Sequence, residues 1–93
     1  MEILIAKRTH SNAVAFVKVK NNVATVYGKF YDGTRGFVGP VADISIPVPD
    51  ELRTEIAVVG SWKKERSAEL TEFCDDCFKK AAENDSWFKM FVE

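Results

Sequence analysis

Apolar and polar residues alternate with a period of two through the first third of the chain, and apolar residues recur at spacings of three and four through much of the last third. The first pattern predicts strands and the second a helix. In the opening stretch Ile3 and Ile5, with Lys7, fall on one face and Glu2, Leu4 and Ala6 on the other, a strand apolar enough to sit inside a sheet. Thr9-His10-Ser11-Asn12 reads as a turn. Residues 13–20 and 23–30 then flank Asn21-Asn22, a pair that tolerates the positive φ of a two-residue hairpin turn.

That turn sets a register in which Lys20 faces Val23, Val19 faces Ala24, and each further step adds the next pair. One face then carries Val19 with Ala24, Val17 with Val26, Ala15 with Gly28 and Ala13 with Phe30. It is wholly apolar and built of small residues, so it is the expected core face, with a helix against it. The other face carries Lys20 with Val23, Lys18 with Thr25, Phe16 with Tyr27 and Val14 with Lys29, which places three ammonium groups around an aromatic pair on the wetter side. A slip of one residue would invert the assignment.

From Tyr31 to Pro40 the alternation stops, and three glycines and a proline predict a loop. Ile44, Ile46 and Val48 then alternate with Asp43, Ser45, Pro47 and Pro49, a strand whose prolines place it at an edge. Asp50 caps a short helix from Glu51 to Val59, stopped by Gly60, although Ile56-Ala57-Val58-Val59 equally fits a strand. A longer helix begins between Ser61 and Ser67 and runs to about Ala82. Leu70, Phe73, Cys74, Cys77, Phe78 and Ala81 line one side of it, and Glu65, Glu69, Glu72, Asp75, Asp76, Lys79, Lys80 and Glu83 line the other. After Asn84-Asp85-Ser86, the apolar cluster Trp87, Phe88, Met90, Phe91 and Val92 fits either period. Together these elements predict one α+β domain over residues 1–93, an antiparallel sheet of about four strands with the amphipathic helix 67–82 packed on one face.

Composition adds that 93 residues, 46% of them apolar, can bury a core without disulfides or a metal. The net charge of −1 conceals a split: residues 1–40 hold 6 basic against 2 acidic side chains, and residues 41–93 hold 7 against 12. Such a division suits an anionic partner on one side and a cationic one on the other, two copies meeting head to tail, or halves that neutralise each other across the fold. The run Ile3–Ala6 is shorter than a signal sequence core of about 7 residues, and nothing approaches the roughly 18 apolar residues of a membrane span. Two cysteines suit a reducing compartment. The expectation is a cytoplasmic protein with no membrane partner.

No motif specifies a reaction. Cys74-Asp75-Asp76-Cys77 has the C-x-x-C form, but mid-helix spacing puts both thiols on the apolar side, away from the helix N-terminus that would acidify one of them. They read as reduced core residues. With His10 they make three of the four ligands a zinc site needs, so neither metal nor cofactor is expected. His10 and Ser11 are adjacent in sequence, which fixes no nucleophile–base geometry. The spacing Gly33-x-x-Gly36-x-x-Gly39 lacks the Gly-Lys-Ser/Thr of a phosphate-binding loop.

These features predict a non-catalytic, protein-binding module, a small regulator or inhibitor of a larger protein, rather than an enzyme. Its candidate contacts are Arg35 and Phe37 in the glycine-rich segment and Glu69, Glu72 and Asp76 on the acidic helix face. The alternative is single-stranded nucleic-acid binding through Phe16, Lys18, Lys20, Tyr27 and Lys29, against which stands a pI of 5.8. Trp87 to Val92 either close the chain's own core or, like an edge strand, join two copies in a homo-oligomer.

Overall fold

The computed structural model of the chain describes residues 2–31, 36–59 and 65–92, without the side chains of 31, 36–40 and 59. Its first three strands, β1 (Ile3–His10), β2 (Ala13–Lys20) and β3 (Val23–Tyr31), form an antiparallel meander. Asn21 and Asn22 take φ of 53° and 61°, the left-handed pair that a two-residue hairpin turn requires. The register of β2 on β3 is the expected one at all eight positions, from Lys20 opposite Val23 to Ala13 opposite Phe30. Ala13, Ala15, Val17, Val19, Ala24 and Val26 are accordingly buried.

β1 departs from expectation in three ways. It is an edge strand, paired with β2 alone, rather than an interior one. It continues through Thr9 and His10 and leaves the turn to Ser11-Asn12, with Ser11 at φ 54°. Its pairing also slips between Leu4 and Ala6, so Ile5 is the extra residue of a bulge. Ile5 is fully buried and Ala6 packs against the core beside it. Beyond the bulge the alternation is reversed: Lys7, opposite Phe16, joins the outer face, and Arg8, opposite Ala15, joins the inner one. Strict alternation would have driven Lys7 into the core.

The segment read as a loop is a strand from Gly36 onward. β4 (Gly36–Val41) pairs with the far side of β3, with Phe37 opposite Phe30 and Val38 opposite Lys29. Its glycines and Pro40 are tolerated because an edge strand has no further ladder to supply. The Ala42 amide donates to the Val26 carbonyl at 3.0 Å, and β5 (Ile46–Pro47) carries the same edge on to Ala24 and Val23. The strand expected across 43–49 is thus reduced to two residues. Pro47 and Pro49 have no N–H to extend it.

Two α-helices follow, α1 (Asp50–Val59) and α2 (Ala68–Asn84), so Ile56–Val59 is helical. Ser67 caps α2, its Oγ accepting from the Leu70 amide at 3.1 Å. The Ser67 amide and hydroxyl donate to Glu55 at 2.7 and 2.6 Å, which ties α1 to the start of α2 and holds the Glu55 carboxyl below its ordinary value. α2 buries Leu70, Phe73, Cys74, Cys77, Phe78, Ala81 and Ala82, and α1 buries Leu52 and Ile56. Asp85 then caps a 3₁₀ helix over Ser86–Phe91. Phe88 and Phe91 enter the same core, with Trp87, Met90 and Val92 packed against it, so this cluster closes the chain's own interior. The result is an α+β fold with its helices on one face of an antiparallel sheet. No described helix is long and apolar enough to cross a membrane.

Gly28 shows how closely this layer fits. A Cβ at that position would lie 2.2 Å from a ring carbon of Trp87, so the indole rests on bare backbone. Gly28→Ala should cost about 1–3 kcal/mol by overpacking, read as a lower urea midpoint at unchanged slope. In a Trp87→Leu background the same substitution should cost much less. Equal costs in both backgrounds would refute the contact.

Candidate functional site

No described strand contains an aspartate or glutamate, whereas β1, β2 and β3 together carry Lys7, Arg8, Lys18, Lys20 and Lys29. The bulge turns Arg8 inward and leaves the four lysines on the outer face. Among the described residues, none of the apolar side chains on that face belongs to the core cluster, because the helices pack on the other side. Phe16 and Tyr27 stand opposite each other in the middle of it. Their row is extended by Lys7, opposite Phe16, and by Val41, opposite Tyr27 and 52% exposed.

The lysines are held in relation to the rings. Lys18 Nζ lies 5.2 Å from the centre of the Tyr27 ring, and Lys29 Nζ lies 5.5 Å from that of Phe16. Both are within cation–π range, worth about 0.5–1 kcal/mol each at an exposed site. Lys20 is exposed beside the hairpin turn. Phe16, Lys18, Lys20, Tyr27 and Lys29 therefore come together as one surface. Lys7 also belongs to it, and only the bulge, which strict alternation does not reveal, puts it there.

The acidic set makes a second, separate surface. Glu69, Glu72 and Asp76 are exposed on α2 and line a groove of about 220 Å³, joined by Glu51 at the start of α1. Pro49, Leu52 and Phe73 supply its apolar wall. Glu51 was not foreseen, since only the packing of α1 beside α2 brings it near. Of the other predicted contacts, Phe37 sits in β4 opposite Phe30, and Arg35 lies outside the described residues.

Asp75 and Asp76 diverge around the helix, as their adjacency requires. Asp75 pairs with Arg8 Nη2, while Arg8 Nη1 donates to the Phe91 carbonyl at 2.8 Å and the guanidinium stands 4.5 Å from the centre of the Phe78 ring. Both charged side chains are partly exposed, so the ion pair alone is worth no more than about 1 kcal/mol. Its effect is to clasp β1, α2 and the 3₁₀ helix together.

The thiols of Cys74 and Cys77 are free and buried, and Cys74 Sγ donates weakly to the Ile5 carbonyl at 3.9 Å. Burial is the main cause pushing Cys74 up to about 11 and Cys77 up to about 12. Neither is a nucleophile at neutral pH. His10 is exposed on β1, and among the described residues no three His, Cys, Asp or Glu side chains are arranged to hold a metal ion.

Compared with protein-family models, with curated proteins and with solved structures, the chain matches none.

Because a raised pKa keeps a thiol protonated until the pH approaches that value, native protein at pH 8 should react with Ellman's reagent far more slowly than free cysteine. Both thiols should react at once in urea. Rapid native labelling would contradict their burial.

Proposed function

We propose that this chain binds single-stranded nucleic acid, without catalysis, on the outer face of its sheet. The observation that supports the reading is the Phe16–Tyr27 pair ringed by Lys7, Lys18, Lys20 and Lys29 on a face whose strands hold no carboxylate. Aromatic rings on an open sheet can stack with bases, and ammonium groups beside them can neutralise phosphates. Bases inside a duplex are already stacked and cannot lie on such rings, so unpaired strands are favoured. The acidic pI is compatible with this, because α1 and α2 carry eight of the fourteen acidic side chains and the described strands carry none.

Fluorescence anisotropy with a labelled dodecathymidylate tests this. Binding should weaken with salt, with a log–log slope of about −3 if all four lysines meet phosphates. Phe16→Ala and Tyr27→Ala should each weaken it by roughly 5- to 150-fold, the equivalent of about 1–3 kcal/mol per stacked base. Lys18→Glu with Lys20→Glu should abolish it. No binding at 20 mM salt, roughly the low end of the useful range, would end the proposal.

The groove between α1 and α2 favours a second reading, a protein-binding regulator. Four carboxylates around Pro49, Leu52 and Phe73 suit a basic segment with an apolar anchor. A synthetic amphipathic peptide of leucines and lysines at helical spacing should bind wild type and Phe16→Ala alike. It should lose binding to Glu69→Lys/Glu72→Lys/Asp76→Lys. An unaffected complex with the triple variant would exclude this face.

A further inference from the structure

The outward side chains of β2 and β3 repeat one pattern. Val14, Phe16 and Lys18 on one strand match Thr25, Tyr27 and Lys29 on the other: a β-branched residue, an aromatic ring and a lysine at successive outward positions. The strands are antiparallel and Phe16 faces Tyr27, so a two-fold axis through the midpoint of that pair carries each residue of one triplet onto its counterpart. The side chains follow the axis as well. Lys18 reaches the Tyr27 ring at 5.2 Å and Lys29 reaches the Phe16 ring at 5.5 Å. The inner face lacks this symmetry, since the same rotation carries Val17 onto Gly28, the residue Trp87 covers. Packing of the core therefore does not account for it.

Resting on the nucleic-acid reading above, we infer that the platform takes one unpaired dinucleotide step, with its two bases on Phe16 and Tyr27 and its phosphates at Lys18 and Lys29, in either 5′-to-3′ direction. A nucleic-acid strand has a direction, but a two-fold site offers it the same contacts after reversal. Within the triplets the two orientations differ by the hydroxyls of Tyr27 and Thr25, and one hydrogen bond from either to a base shifts the balance by about tenfold. Lys7 and Lys20 lie outside the triplets. Their counterparts under the rotation are Val41 and Tyr31, which are uncharged, so directional preference enters through these two lysines.

Nitroxide-tagged trithymidylate, added to the ¹⁵N-labelled full chain, tests this. A tag at the 5′ end should broaden amide signals around Lys18 and around Lys29 to a similar degree, and a tag at the 3′ end should give the same pattern. A one-sided pattern that switches when the tag moves means a single direction and overturns the inference, while the nucleic-acid reading stands. Binding of dodecathymidylate without any broadening by trithymidylate overturns the two-base site. Failure of both probes removes the nucleic-acid reading itself. The affinity losses in Phe16→Ala and Tyr27→Ala, each checked for a native amide spectrum, should agree within about tenfold. A wider gap overturns the symmetry.

Discussion

The register of β2 on β3 is the constraint on which the other features depend. Asn21 and Asn22 accept left-handed backbone at little cost, and a two-residue turn allows one alignment of the strands it joins. From that alignment follow the burial of Val17, Val19, Ala24 and Val26 and the outward placement of the lysines and of the half-buried aromatic pair. A shift by one residue would place Lys18 and Lys20 beneath α2. No carboxylate in the sheet would be there to pair with them, and unpaired buried ammonium groups cost several kcal/mol each. The turn and the side-chain pattern thus specify the same alignment.

The two faces divide labour by size as well as by charge. Inward positions are small, with Ala13, Ala15, Ala24 and Gly28 letting α2 and Trp87 approach the backbone. Outward positions carry the long and flat side chains. The described strands carry five basic side chains and no acidic one, whereas α1 and α2 together carry eight acidic against three basic, so much of the charge split is a split between layers. The bulge at Ile5 maintains this on the first strand, since it sends Lys7 out and brings Arg8 in.

The hairpin register, the buried stripe of α2 and the placement of both thiols were legible in the sequence because each rests on periodicity within one element or across a two-residue turn. β4 was not. Gly36, Gly39 and Pro40 are turn-forming residues by composition, and only the free edge of β3 makes a strand of them. The bulge was equally hidden, for a single extra residue leaves no mark on an apolar run such as Ile3–Ala6, and Lys7 was missed with it. The match of Trp87 to Gly28 joins residues 59 positions apart and depends on shape alone. In the candidate surfaces, side chains from one hairpin were recognisable as a set, whereas Glu51 needed the packing of two helices.

The clasp of Arg8 with Asp75 and the Phe91 carbonyl, together with the seat of Trp87 on Gly28, joins the meander to segments some 60 to 80 residues away along the chain. Until those distant segments pack on it, the meander can pair but its valine-rich underside has no lid. A chain in which residues 68–91 are displaced presents that hydrophobic sheet to its surroundings, and the fold is complete only when Trp87, Phe88 and Phe91 are seated.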